Sequence, residues 1–226
     1  MGTDLFYTES GEGAPLILLH GNGESSDYFK SQIPVFSNSF HVFALDTRGH
    51  GRSGRGTEPF TLVRFAEDLK AFMDERKIDK ANLLGFSDGG NVALLFALRY
   101  PERVERLVLN GANLSPKGVK AAIQVPIVLG YGIALALSPF SKNAKANKEM
   151  LGLMATQPQI APNELSRLAM PALVIAGTRD MIKGSHTREI ARALPNAKLC
   201  FIEGDHFIAA KKSDEFNKRV LAFLLS

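Results

Sequence analysis

The 226-residue chain has no tryptophan and a single cysteine, Cys200. One cysteine excludes an internal disulfide framework and a cysteine-based structural zinc site, and it fits a reducing compartment. Neither sign of charge dominates. The 27 basic residues are set against 23 acidic ones, a formal +4, and no basic block or arginine-rich arm concentrates it. That balance argues for solubility and against a nucleic-acid binder. Long apolar runs are also missing: Val125 to Leu137 is interrupted by Pro126, Gly130 and Gly132 and is too short to span a bilayer. The first residues, M-G-T-D-L-F-Y, lack a basic start followed by an apolar core, so no secretory signal is read there. Cytoplasmic residence without stable membrane association is expected, in a monomer or homodimer.

What is present suits one α/β domain. Apolar residues make up 45% of the chain, enough at this length for one sizeable core. Leu16 to Leu19, four apolar residues running into a turn, reads as a buried parallel strand, and His41 to Leu45, the apolar run beginning at Ala81, Val104 to Leu109, Leu173 to Ala176 and Leu199 to Ile202 read as further strands. Leu5 to Thr8 reads as a short first strand. Between them lie helical patterns: Tyr28 to Phe36, the stretch carrying Phe65, Leu69, Phe72 and Met73, the run after Gly89 that ends at Pro101, Thr187 to Leu194, and Phe216 to Leu225. Alternation on this scale predicts a doubly wound, mostly parallel sheet of seven to eight strands flanked by helices. Residues 112–169 are too long for one crossover. They are expected to form a small helical cap over the carboxyl ends of the strands of a core made by residues 1–111 and 170–226.

Ser87 occupies a G-x-S-x-G pentapeptide, Gly85 to Gly89, between a strand-like and a helix-like run. A turn sharp enough to lift a serine hydroxyl off a strand end leaves no room for side chains two positions either side, hence the glycines. A serine hydroxyl is a poor nucleophile unless an imidazole takes its proton. His206 follows the strand ending at Ile202 and supplies that base; Asp180 follows the strand ending at Ala176 and would orient the imidazole. Asp205 and Glu203 are closer in sequence to His206, but an adjacent side chain on the same turn is badly placed to hold the far ring nitrogen. The backbone N–H of Asp88 and that of Asn22, in the turn His20-Gly21-Asn22-Gly23, are the expected oxyanion donors. His20 is read as a structural residue bonding loop backbone, Asp46 and Arg48 as pins for the glycine-rich loop 49–56, and His41 and His186 as surface or strand-end residues. His20, His50 and Asp46 do not have a metal-binding spacing, so no metal or cofactor is expected.

The stretches H-G-N-G (20–23), D-T-R-G-H-G-R-S (46–53), G-F-S-D-G-G (85–90), G-T-R-D (177–180) and G-D-H-F (204–207) together resemble the α/β-hydrolase superfamily, in its branch of small serine esterases and lactonases. The resemblance covers the chain almost end to end. It implies the same triad and oxyanion donors, a cap between the sixth and seventh strands of the family's sheet, and Leu5 to Thr8 as that sheet's antiparallel second strand. The dehalogenases and epoxide hydrolases of this fold use an aspartate nucleophile where this chain has Ser87. The lack of tryptophan also excludes halide binding by tryptophan pairs, and Tyr131 is the insertion's lone tyrosine where epoxide opening would want two.

Hydrolysis of a carboxylic ester of a small, largely apolar substrate through an acyl-enzyme is therefore the expected activity. Lactonase, thioesterase or C–C hydrolase chemistry with the same triad is one alternative, and non-catalytic small-molecule binding on the same fold is another. Glu24, Phe86, Val128, Tyr131 and Phe207 are the candidate pocket residues, with Glu24 and Asp88 placing carboxylates near the mouth.

Overall fold

The computed structural model describes residues 5–226. The first half of the chain forms β1 (Tyr7–Ser10), β2 (Ala14–Leu19), α1 (Ile33–Phe36), β3 (Phe40–Leu45), α2 (Leu62–Glu75), β4 (Ala81–Phe86), α3 (Asp88–Arg99) and β5 (Val104–Asn110). Two helices then interrupt the alternation, α4 (Ala121–Leu137) and α5 (Lys142–Thr156). The chain resumes with β6 (Ala172–Gly177), α6 (Gly184–Ala193), β7 (Ala197–Ile202), α7 (Ile208–Lys211) and α8 (Ser213–Leu224).

The strands form one seven-stranded sheet in the order β1-β3-β2-β4-β5-β6-β7. Only β1 runs antiparallel, pairing Tyr7 with Leu45 through Ser10 with Val42. The parallel strands β2, β4, β5 and β6 are buried along most of their length, which is why they read as continuous apolar runs rather than as alternating ones. Two cores result. One gathers α2, α3 and α6 with Ile17, Leu83, Leu107 and Val174 on one face of the sheet. The other gathers α8 and Phe29, Phe36 and Phe86 with Leu18, Leu84 and Val108 on the opposite face.

Local chemistry explains where elements start. Thr61 caps α2 by accepting from the Arg64 N–H at 3.1 Å, and Leu62, Phe65, Leu69, Phe72 and Met73 form its buried stripe. The single helix expected over Tyr28 to Phe36 is instead a 3₁₀ turn, Ser26–Phe29, followed by α1, because Pro34 favours the opening of a helix over its interior. The strand expected at Leu5 to Thr8 lies two residues later. The last helix starts at Ser213 rather than Phe216, its first turn carrying Asp214 and Glu215 where the helix dipole favours anions.

Candidate active site

Ser87 sits at the carboxyl end of β4, the middle strand of the sheet, as the cap of α3. Its backbone is at φ 53 and ψ −121, a left-handed conformation that costs a non-glycine residue about 1–3 kcal/mol. Two anchors hold it there: the Ser87 N–H donates to the Asn110 carbonyl at 2.8 Å, and the Asn91 N–H donates to the Ser87 carbonyl at 3.1 Å. The flanking glycines are steric necessities. A Cβ on Gly85 would lie 2.3 Å from the Gly89 carbonyl oxygen, and one on Gly89 would lie 2.1 Å from that of Leu19.

Asp180 and His206 meet at the neighbouring strand ends. The loops after β6 and β7 are tied together by Thr178 N–H to Ile202 O at 2.9 Å and Arg179 N–H to Gly204 O at 2.8 Å. His206 Nδ1 lies 2.7 Å from Asp180 Oδ1, which also accepts the Ile182 N–H at 2.8 Å, and both side chains are buried. Asp180 is thus the carboxylate on the imidazole. Asp205 accepts from the Phe207 N–H at 2.9 Å and pairs with Lys211, while Glu203 faces Arg179 in solvent. His206 Nε2 is buried without a hydrogen-bond partner among the described residues, so the Ser87 hydroxyl does not reach it here. Hydrogen bonds between a nucleophile and its base often close only around substrate.

Gly111, one residue beyond the carbonyl that holds Ser87, shows how closely the elements converge. A Cβ there would lie 2.7 Å from His206 Cε1 and 3.3 Å from Asp180 Oδ2, and its φ is +64. Its position immediately after an apolar strand is the one mark it carries in the sequence. Tyr28 stacks on Phe86 at 4.2 Å between centroids, and its buried hydroxyl has no partner among the described residues. Burial, with the Glu24, Asp180 and Asp205 carboxylates nearby, pushes that phenol well above its ordinary range.

Asn22 and Asp88, whose N–H groups are the expected oxyanion donors, line one small cavity with Gly21 and Gly89. Asp88 is the first residue of α3, so helix geometry leaves its N–H without an intrahelical acceptor. Asn22 is fixed through its side chain, Nδ2 donating to the Met150 carbonyl of α5 at 2.8 Å and Oδ1 lying 3.3 Å from His50 Nε2. Beneath that turn, His20 donates from Nδ1 to the Gly21 carbonyl at 2.7 Å and accepts the Thr47 N–H on Nε2 at 3.0 Å. Burial lowers its pKa to about 4, so it is a neutral brace for loop backbone. The Asp88 side chain is buried too, with Oδ1 accepting from Asn91 at 3.1 Å and Oδ2 unpartnered among the described residues. Burial raises its pKa to about 6, against the opposing pull of the Asn91 bond and the His206 charge.

The candidate pocket residues separate. Phe86 is fully buried, its ring 4.8 Å from that of His206 and 5.7 Å from that of Phe207, so it backs the imidazole rather than facing an opening. Phe207 is partly exposed beside His206. Glu24 accepts from the Gly21 N–H at 3.3 Å, and its burial raises the carboxyl above the usual range. Val128 is on the outer face of α4 and exposed, and Tyr131 packs against Gly152 of α5. A helix apolar on every side gives no phase in sequence, and the residues that turn inward include Gln124 and Ile127. With Asp88, Asn113, Met154 and Gln157 they line a cavity of about 20 Å³. His186 is not a surface residue: its side chain is mostly buried and Nε2 accepts the Leu114 N–H at 3.0 Å, holding the strand-to-helix connection after β5. An open crevice of about 790 Å³ lies outside that connection, along α6, away from Ser87. No cluster of His, Cys, Asp and Glu suited to a metal ion is present among the described residues.

A family model for the alpha/beta hydrolase fold matches residues 14–131. A protein of Caulobacter sp. (strain K31) that bears the name carbamate hydrolase RutD is 30% identical over 92% of this chain and 90% of its own. The human serine hydrolase BPHL is 29% identical over 99% of this chain and 84% of its own. Among solved structures, the enol-lactonase of Burkholderia xenovorans LB400 superposes with a TM-score of 0.83 at 25% identity, covering 99% of this chain and 97% of that one. With a strained serine at the centre of a mostly parallel sheet and a matched family model over more than half its length, the chain belongs to the α/β-hydrolase family.

Proposed function

We propose that this protein hydrolyses a carboxylic ester of a small, largely apolar acid through a covalent acyl-enzyme. The observation that carries this reading is the buried 2.7 Å contact of His206 Nδ1 with Asp180 Oδ1, together with a serine held at positive φ at the carboxyl end of the central strand β4. In the reaction, Ser87 Oγ adds to the ester carbonyl as its proton passes to His206 Nε2. Asp180 keeps the opposite ring nitrogen protonated and steadies the imidazolium. The carbonyl oxygen becomes an oxyanion between the N–H groups of Asn22 and Asp88, where each donor lowers the barrier by roughly 3 to 4 kcal/mol. Collapse expels the alcohol with the proton from His206. Water, deprotonated by the same imidazole, then releases the acid and restores Ser87.

Residues 112–169 act in this reading as the roof of the site. Asn22 to Met150, Leu62 N–H to Gln157 Oε1 at 3.0 Å, and the Arg55–Glu149 pair support it, since all three join α5 or the turn after it to core loops. The cavity of about 20 Å³ beneath the roof has room for roughly one water. An acyl group therefore enters from the Ser87 side or displaces α4 and α5.

Hydrolysis of short p-nitrophenyl esters tests the proposal. Ser87→Ala and His206→Ala should each lower kcat by a factor on the order of 10⁴ to 10⁶ while the proteins stay folded. A fluorophosphonate should label Ser87 in the wild type, and a folded protein that neither turns over esters nor takes the label overturns the reading. A lactone is the second substrate class, favoured by the likeness to an enol-lactonase. A panel pairing each lactone with its open-chain ester separates the two.

A further inference from the structure

The outer face of α4 is an extended apolar surface with nothing among the described residues packed on it. Between Ala121 and Leu137 the sequence has no charged residue. Only a narrow stripe faces the protein, with Ala134 buried and Gln124, Ile127 and Tyr131 half-buried. Along the opposite side, Val125, Leu129, Ile133 and Leu137 form a row at four-residue spacing, each 52% to 63% exposed, and Phe140 beyond them is 86% exposed. A helix apolar on all sides is normally covered on all sides, and a contiguous patch of this kind marks an interaction surface.

Charge identifies the cover. No aspartate or glutamate occurs between Glu105 and Glu149, whereas Lys117 and Lys120 precede α4 and Lys142 and Lys145 follow it, all four exposed. Glu149 itself is committed to Arg55 at 2.6 Å. Facing a second copy across a two-fold axis, this surface would oppose lysine ends with no carboxylate of the same stretch to offset them. Facing an anionic bilayer, the same lysines would meet phosphates and the apolar row would meet acyl chains.

We propose that α4 docks the protein on anionic lipid surfaces, lying in the membrane plane with Leu129, Ile133 and Phe140 in the acyl boundary and the four lysines at headgroup level. Its 17 residues span about 25 Å, and no helix among the described residues is long and apolar enough to cross a membrane, so the contact is peripheral and reversible. The docking is independent of the hydrolytic proposal.

Co-sedimentation with vesicles tests it. The wild type should bind phosphatidylcholine vesicles containing phosphatidylglycerol at low salt, be released at high salt, and bind pure phosphatidylcholine far more weakly. The pair Leu129→Glu with Ile133→Glu, and separately the pair Lys142→Glu with Lys145→Glu, should each weaken binding about tenfold or more with unchanged circular dichroism. Ser87→Ala should bind like the wild type, which keeps the result separate from catalysis. Absence of binding to the anionic vesicles, equal binding to both vesicle types, or binding untouched by either pair overturns the proposal. So does a dimer in light scattering that Leu129→Glu dissociates, because a second copy would then be the occupant.

Discussion

His20 and Asp88 line one small cavity and have opposite pH linkages. His20 titrates at about 4 in the fold against an ordinary 6.5. The unfolded chain therefore takes up its proton first as pH falls, and about 3 kcal/mol of stability present above the unfolded value is lost between roughly 6.5 and 4. Asp88 titrates at about 6 in the fold against an ordinary 3.8. Here the folded chain holds the proton longer, so stability present at low pH is lost as pH rises from about 4 through 6, again by about 3 kcal/mol at most. Asp88→Asn keeps the backbone N–H and removes the titration. Its urea midpoint should match the wild type near pH 4 and correspond to a gain of about 2 to 3 kcal/mol at pH 8; an equal difference at both pH values would refute the linkage. Gly111→Ala tests geometry instead. The added methyl would meet His206 Cε1 at 2.7 Å, so kcat for a p-nitrophenyl ester should fall about a hundredfold while KM changes little. Asp88 was legible as a backbone donor because its place after Ser87 is a matter of spacing. Its buried, unpartnered carboxylate was not, since burial comes from helices far away in sequence.

Elements whose ends are set by local chemistry were the readable ones. The strands ending at Leu19, Phe86, Gly177 and Ile202 stop where glycine or polar turn residues begin, and those turns carry Asn22, Ser87, Asp180 and His206. The glycine-rich loop after β3 also followed from sequence: Asp46 accepts the Ser26 N–H at 2.7 Å and the Arg52 N–H at 2.8 Å. Burial alone would raise the Asp46 pKa, but hydrogen bonds from Ser26 and Arg52, with the nearby His20, together hold the carboxyl below its ordinary value. Arg48 reaches the other way, forking onto Asp68 of α2 at 2.7 and 2.6 Å with no exposure of its own side chain. That partner was invisible in sequence because Asp68 sits among the polar residues of an amphipathic helix. Arg48→Met should destabilise by about 3 to 5 kcal/mol, since it leaves a buried carboxylate with only Arg64 at 3.2 Å. A loss under about 1 kcal/mol in denaturant unfolding would mean that Asp68 is solvated rather than paired. The phase of α4 stayed hidden for a different reason: amphipathicity tells inside from outside, and α4 has none to read.

At the level of the whole molecule, the alternation of strands and helices was legible because each core strand is short, apolar and closed by a turn, whereas the path of residues 112–169 depends on contacts spaced far apart. Their entry is bound to the acid loop by Lys120 N–H to Met181 O at 2.9 Å and Lys183 N–H to Gly118 O at 2.8 Å. Their far end meets the core loops through Asn22 and through Arg55, whose Nε and Nη2 reach Glu149 at 2.8 and 2.6 Å. Besides Leu153, which is buried in the core, and the Asn22 bond to the Met150 carbonyl, α5 is held to the core loops by the pairing of Arg55 with Glu149. Both partners are partly exposed, so the pair contributes only about 1 kcal/mol or less to global stability. Its local effect should be larger in proportion, because segments with few buried contacts open on their own. Glu149→Gln should therefore speed amide hydrogen exchange in α4 and α5 severalfold while leaving β4 and β5 unchanged, a difference read peptide by peptide by mass spectrometry. Acceleration spread equally over cap and sheet would show that residues 112–169 do not open as a separate unit, and the division into core and roof would fail with it.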